Sequence, residues 1–128
     1  MYFSILFMNI VYNDYTYSKI KTKSRIMKSG LYHTILISFK PDTPQEIQDT
    51  ILSKYKILGE ECGGENAGIL FWTVQKNLDK RKNIHLVEFA IFKNQEALDL
   101  FKKHEKHISL IDEFLVKYCD WKVGDFIL

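Results

Sequence analysis

The sequence contains little of what marks a secreted, a nucleic-acid-binding or a membrane protein. Its 128 residues include two cysteines, Cys62 and Cys119, which lie far apart and form no CxxC motif. We therefore expect two free thiols in the reducing cytoplasm; a single disulfide is the alternative. The net charge is only +2 and lysines are interspersed with acidic residues, so nucleic acid is not an expected partner. No apolar run is long enough to span a membrane, so no membrane association is expected.

The first 26 residues differ in character from the rest of the chain. They begin with an apolar stretch and continue as a polar, basic and tyrosine-rich one. A signal peptide would need a basic start and a small-residue cleavage site, and both are missing. We expect residues 1–26 to be an N-terminal extension, partly disordered or loosely packed, and residues 27–128 to form one domain. Because Met27 stands just before the first strand, a start of translation at Met27 is a further hypothesis.

Hydrophobic periodicity predicts a strand followed by a helix. Apolar and polar residues alternate over Leu31–Phe39, which predicts a strand with His33 on its apolar side. Apolar residues then recur at helical spacing and place Tyr55 on the buried stripe of a helix. Thr43 and Glu46 have the spacing of a capping box, which predicts where this helix begins.

The rest of the chain adds three strands and a second helical stretch. The strands are expected at Ile69–Val74, Ile84–Phe92 and Tyr118–Leu128, the last with a bulge at Gly124. Asn94 is expected to cap the second helix. The apolar stripe of that helix changes phase across His104 and His107, which predicts a bend or break there.

This order of elements is typical of an α+β, ferredoxin-like fold, with a four-stranded antiparallel sheet and helices on one face. Ile84–Phe92 is apolar on both sides, so the sheet face without helices also needs cover. We therefore expect a homodimer in which two copies pack sheet against sheet.

Four motifs in the same order make Leu31–Phe126 similar to the stress-responsive α/β-barrel (Dabb) domain family. They are the opening HTILISFK from His33, the strand HLVEF from His85, the helix from Gln95 into HEKH at His104–His107, and the closing VGDF from Val123. The resemblance implies a dimeric α+β barrel with a cavity between sheet and helices.

The resemblance also implies roles for particular residues. In cyclase-like members of the family, a histidine of the HxxH motif acts as a base on a linear polyketide, aided by a tyrosine. That base corresponds to His107, the strand histidine to His33, and a tyrosine lining the cavity to Tyr55. The sequence departs from the pattern at Phe101, where the family has the assisting tyrosine, and at Glu105, where it often has proline.

Each candidate residue also has a structural interpretation. His107 is either a general base or a buried histidine bonded to backbone at the bend. His104 and His107 have a spacing that two zinc ligands can use, with His33, His85 or a carboxylate such as Glu88 as further ligands. A polar helix end is favoured instead, and no metal or other cofactor is expected. The remaining candidates for lining a ligand site are Phe101, His104, His85, Phe89 and Trp72.

Three functions follow from these alternatives. The first is a binding module that holds a small apolar or aromatic molecule, which the missing tyrosine favours. The second is a polyketide-cyclase-like lyase in which His107 takes a proton next to a carbonyl group. The third is a cofactor-free monooxygenase of the dimeric ferredoxin-like group. Both small-molecule ideas require a cavity beside His33, Tyr55 and His107 in the folded dimer.

Overall fold

The computed structural model describes residues 29–128, so the predicted extension of residues 1–26 and the start at Met27 lie outside the described residues. The elements are β1 (Leu31–Phe39), α1 (Gln45–Glu61), β2 (Ile69–Lys76), β3 (Leu86–Phe92), α2 (Gln95–Lys103), α3 (Glu105–Leu110) and β4 (Cys119–Ile127). A 3-10 turn (Gly64–Ala67) follows α1, and a π-helical turn (Ile111–Leu115) and a last helical turn (Val116–Tyr118) join α3 to β4.

The four strands form one antiparallel sheet in the order β2-β3-β1-β4. The central strand β1 pairs His33 with Ala90 of β3 on one side and with Asp125 of β4 on the other. This order and the antiparallel pairing confirm the predicted ferredoxin-like α+β fold.

The helices pack on one face of the sheet, where most of the inward side chains of the central strands are apolar. In β3 the buried residues Leu86, Ala90 and Phe92 point towards the helices, while Phe89 lies half-buried on the opposite face. The helices complete the core with Ile51, Tyr55, Leu58, Ala97, Leu98, Phe101 and Leu110. No helix within residues 29–128 is both long enough and apolar enough to cross a bilayer.

Two local predictions are wrong. Thr43 does not cap α1: its hydroxyl donates to the carbonyl oxygen of Lys40 at 2.7 Å, because Thr43 lies one residue ahead of the N-cap position, which Pro44 occupies. Gly124 forms no bulge, because it pairs with Thr34 in an unbroken ladder; the register shift of the sheet lies in β2 instead.

The break predicted within the second helical stretch is confirmed. Asn94 caps α2, since its Oδ1 accepts a hydrogen bond from the Ala97 amide at 2.9 Å. His104 has extended backbone (φ −65°, ψ 137°) and ends α2. Its Nδ1 accepts from the Lys106 amide at 3.1 Å, so the same residue caps α3 and turns the chain ahead of His107.

Candidate functional site

Four ionisable side chains meet where the sheet faces the helices. The ladder places His33 of β1 beside Asp125 of β4. Glu88 lies two residues before Ala90, the β3 partner of His33, and therefore points to the same face. Tyr55 reaches these strands from the buried side of α1. We call Asp125, His33, Glu88 and Tyr55 the polar cluster.

The members of the polar cluster contact one another in a single chain. His33 Nδ1 lies 2.5 Å from Asp125 Oδ1, and His33 Nε2 lies 3.6 Å from Glu88 Oε1. The Tyr55 hydroxyl donates a short hydrogen bond to Glu88 Oε2. His33, Glu88 and Tyr55 are only 3%, 0% and 3% exposed, whereas the Asp125 side chain is 36% exposed. The cluster thus runs from the core to a solvent-accessible edge of the sheet.

Burial changes the protonation of this cluster. Loss of hydration raises the pKa of Glu88 to about 8; the Tyr55 hydrogen bond opposes the rise and the charge of Asp125 adds to it. Burial, followed by the charge of Glu88, raises the pKa of Tyr55 well above its usual value. Glu88 is therefore mostly a neutral acid at pH 7, and Tyr55 keeps its proton and remains a donor.

Glu88 Oε1 is the buried side-chain polar atom without a hydrogen-bond partner in the described part of the chain. Leaving such an atom unsatisfied costs about 1–3 kcal/mol. Unsatisfied buried groups with displaced pKa values are concentrated at functional sites. The inner end of the cluster, at Glu88 Oε1, is therefore the candidate functional site.

His107 lies near this cluster in the first turn of α3. Its Nδ1 is 3.0 Å from the carbonyl oxygen of Lys102, so Nδ1 carries the hydrogen and the lone pair is on Nε2. Burial lowers the pKa of His107, and the Lys102 carbonyl opposes this effect; positive charge on His33, Lys102 or His104 lowers it further. His107 is therefore neutral at pH 7, and it lies within electrostatic range of His33.

Aromatic side chains form the wall between His107 and Tyr55. The Phe101 ring centroid lies 4.6 Å from that of His107 and 5.3 Å from that of Trp72. Trp72 in turn stacks on Tyr55 at 5.9 Å, and its Nε1 donates to the Tyr55 carbonyl oxygen at 3.1 Å. Gly59 makes this packing feasible, since a Cβ there would lie 2.5 Å from Trp72 Cγ.

Three of the candidates from the sequence lie away from the cluster. His85 stands five residues before Ala90, and its Nδ1 accepts from the Phe39 amide at 2.8 Å. Phe89 lies on the sheet face without helices, 5.7 Å from the Tyr32 ring. His104 is used in the helix break. The structure thus brings together His33, Tyr55, His107, Phe101 and Trp72 and places His85 and Phe89 apart from them, while His104 lies at the helix break close enough to act on the charge of His107.

The two carboxyl groups of the cluster were not identified for this role from the sequence. Glu88 was considered only as a further ligand for zinc, and Asp125 only as part of a motif. An acid at an inward position of a strand that is apolar on both sides is a signal that could have identified Glu88. Among the described residues, no group of three or more His, Cys, Asp or Glu side chains is arranged to hold a metal ion.

Three surface pockets of residues 29–128 lie away from the polar cluster. One of about 240 Å³ lies between α1 and α3, one of about 200 Å³ adjoins His85, and one of about 300 Å³ lies beside Leu31 and Leu128. None of the three is lined by His33, Tyr55 or His107. In a single protomer His33, Glu88 and Tyr55 are buried beneath the packed helices, and Asp125 is the member of the polar cluster that reaches solvent.

Fold and site together define an α+β protein of the ferredoxin-like class with a buried acid–imidazole cluster under its helices. Residues 31–128 match the Stress responsive A/B Barrel Domain (Dabb) family, and the chain belongs to that family. No curated protein matches the sequence.

Solved structures show the same fold at low sequence identity. A Dabb family protein from Mesorhizobium loti has a TM-score of 0.66 and 14% identity, over 79% of this chain and 98% of that chain. A dimeric ferredoxin-like protein of unknown function from Thermobifida fusca has a TM-score of 0.67 and 12% identity, over 80% and 93%. A hydroxynitrile lyase from Passiflora edulis has a TM-score of 0.64 and 16% identity, over 77% and 92%.

Proposed function

We propose that this protein is a homodimer that binds a small apolar or aromatic molecule between sheet and helices, beside His107 and the polar cluster. The observation that carries the proposal is the unsatisfied Glu88 Oε1 at the end of a wall formed by Phe101 and Trp72. Small-molecule sites are commonly apolar surfaces with a few polar groups that fix the orientation of the ligand. Because Glu88 is mostly neutral at pH 7, the inner end of the cluster carries little charge, and an uncharged ligand fits this environment best.

The sheet face without helices supports the homodimer. Phe71, Phe126 and Leu36 are 46%, 53% and 37% exposed on that face. Tyr32 joins this surface, with ring centroids 5.0 Å from Phe126 and 5.7 Å from Phe89. A second copy offers an equally apolar surface of the same shape, and exposed apolar patches commonly mark such contacts. The Thermobifida fusca protein of this fold is itself described as dimeric.

The binding test uses naphthol, an uncharged aromatic alcohol, titrated into the full chain and followed by NMR. We expect saturable shifts of the His107, Phe101 and Tyr55 signals. His107→Gln should weaken binding about tenfold, the effect of losing one buried polar contact. His85→Gln is the matched control and should bind as the wild type does. Saturable shifts confined to His85, or their absence altogether, would refute the proposed site.

A second candidate is a polyketide-cyclase-like lyase, and the neutral state of His107 with its lone pair on Nε2 favours it. The Passiflora edulis protein of this fold is itself described as a hydroxynitrile lyase. His107 would take a proton from the carbon between two carbonyl groups, and the resulting carbanion would attack a distant carbonyl carbon of the same molecule. The new alkoxide takes the proton back from His107 and becomes a hydroxyl group. This hydroxyl group leaves as water together with a hydrogen from the neighbouring ring carbon, and the remaining ring ketones enolise as the ring becomes aromatic.

The lyase candidate is tested with a linear ester that carries three further ketone groups on alternate carbons, the last bearing a phenyl group, with cyclisation followed by absorbance. His107→Ala should lower the rate by at least about 100-fold, the usual contribution of a general base. His85→Ala is the control and should leave the rate unchanged. A wild-type rate equal to that of the reaction without protein would eliminate this candidate and leave the binding function standing.

A further inference from the structure

The side chains of Glu88 and His33 face each other directly in the core. Their nearest atoms, Oε1 and Nε2, are 3.6 Å apart, slightly too far for a hydrogen bond. Both side chains are nine-tenths buried or more, and Oε1 has no other partner among the described residues. Whether Oε1 and Nε2 form a hydrogen bond therefore depends mainly on which of them carries a proton.

The contacts on either side of the pair determine which atoms can hold a proton. Tyr55 donates to Glu88 Oε2, so a proton on Glu88 belongs on Oε1, the oxygen that faces His33. His33 Nδ1 donates to the Asp125 carboxylate, so a neutral His33 has its lone pair on Nε2, the nitrogen that faces Glu88. The neutral acid thus points its hydrogen at the free lone pair of the imidazole.

We propose that Glu88 is a positioning residue that shares one proton with His33, passed between Oε1 and Nε2, and that Asp125 connects this pair to solvent. In one form a neutral Glu88 faces a neutral His33. In the other, the Glu88 carboxylate faces an imidazolium that lies between two carboxylates. No proton is gained or lost in the transfer, and a closure of about 0.5 Å brings the atoms to hydrogen-bond distance.

The groups around the pair act on this equilibrium in opposite directions. Burial disfavours the charged form of Glu88, while the hydrogen bond from Tyr55 favours the carboxylate. From β4, Asp125 stabilises a positive His33 and also repels a negative Glu88. Cys119 acts on Tyr55, and His107 faces the cluster from α3.

Movement of this proton affects the candidate base. A positive His33 lowers the pKa of His107, and the Glu88 carboxylate formed in the same transfer partly offsets this effect; with His33 the nearer charge, His107 is slightly the stronger base when the proton lies on Glu88. Glu88 thereby acts on His107 through His33, without touching a ligand. This last step rests on the proposed function, whereas the sharing of the proton does not, because it is a property of the ligand-free protein.

The test is an NMR pH titration of the ligand-free full chain, with the Glu88 carboxyl followed by ¹³C and the His33 ring by ¹⁵N. We expect both signals to change over the same pH range, centred near the raised pKa of Glu88 of about 8. In the Glu88→Gln variant, the change of the His33 ring ¹⁵N signals over that pH range should disappear. Glu61→Gln, a partly exposed acid paired with Lys106, is the matched control and should leave it unchanged.

Two results would overturn the proposal. One is a Glu88 carboxyl that titrates near about 4.3, the value of an exposed glutamate. The other is a His33 titration that is the same in Glu88→Gln as in the wild type. If Glu88→Gln does not fold, Tyr55→Phe provides the test, because it removes the hydrogen bond that favours the Glu88 carboxylate. The Glu88 and His33 transitions should then move up together by about 0.5–1 pH unit. Movement of the Glu88 transition alone would refute the shared proton.

Discussion

His33 shows how much the function of one residue depends on what surrounds it. Its Nδ1 contacts the Asp125 carboxylate and its Nε2 faces the neutral Glu88 acid. Each ring nitrogen therefore faces a protein side chain rather than solvent. The sequence indicated that His33 lies on the apolar side of β1. It could not indicate the two carboxyl groups, because they come from strands 55 and 92 residues further along the chain.

Glu88→Gln should change how stability depends on pH. The pKa of Glu88 in the fold, about 8, is higher than in the unfolded chain, so its neutral form stabilises the fold fully below about pH 4.3. This contribution is lost as pH rises towards 8, by up to about 1.4 kcal/mol per pH unit. Urea unfolding should therefore show the wild type losing stability relative to Glu88→Gln between about pH 5 and about pH 8. Parallel curves for the two proteins would contradict the neutral buried acid.

The two cysteines should be unreactive in the folded protein. Burial raises the pKa of the thiols of Cys62 and Cys119 to about 11, and the thiolate is the reactive form. We expect a thiol reagent at about pH 8 to modify neither residue in the native protein and both after unfolding in urea. Rapid modification of the native protein would show that the core around α1 and β4 opens readily.

At the scale of elements, close packing of α1 on β2 positions the aromatic wall. Gly59 lies inside α1, where alanine would ordinarily stabilise a helix by about 0.8–1 kcal/mol. A Cβ at this position would, however, lie 2.5 Å from Cγ and 2.8 Å from Cβ of Trp72. Displacing a packed ring costs about 1–3 kcal/mol, so the clash outweighs the gain in helix propensity.

Gly59→Ala should accordingly destabilise the fold by up to about 2 kcal/mol net and alter tryptophan fluorescence. Gly124→Ala is the matched control, because a Cβ there meets nothing within 4 Å. Urea unfolding of both variants gives the comparison. A stabilised Gly59→Ala would mean that Trp72 moves away without cost.

Loss of the Asn94 cap should loosen α2. The Asn94 side chain is bonded to the Ala97 amide, so Asn94→Ala should cost about 1 kcal/mol in the free energy of unfolding. Asn94→Asp keeps the acceptor and should restore most of the loss. If both substitutions are equally harmful, Asn94 is needed for something other than capping.

At the scale of the whole molecule, edge strand β4 has apolar residues on both of its faces. Phe126 lies 53% exposed on the side without helices, while Val123 and Ile127 are 53% and 80% exposed on the other. A protomer by itself would leave these side chains in water. The proposed second copy would cover Phe126 and the rest of the open sheet face, since exposed apolar patches commonly mark such contacts.

Phe126→Asp should therefore convert a dimer into a monomer, because it introduces a charge into the proposed apolar contact. Leu78→Asp alters an apolar residue that is 93% exposed in the loop before β3, and it should remain dimeric. Sedimentation or light scattering at about micromolar concentration distinguishes one chain from two. A monomeric wild-type protein would refute the proposed dimer.

The sequence by itself determined the elements of this protein, since alternation of period two in β1 and helical spacing in α1 are local properties of the chain. It also indicated the break at His104, because the apolar stripe changes phase there. Only the tertiary structure decided that Glu88, Asp125 and Tyr55 surround His33, while His85 and Phe89 lie apart. The reason is physical: strand register and helix packing set which distant side chains meet, and the burial that follows sets the protonation of Glu88.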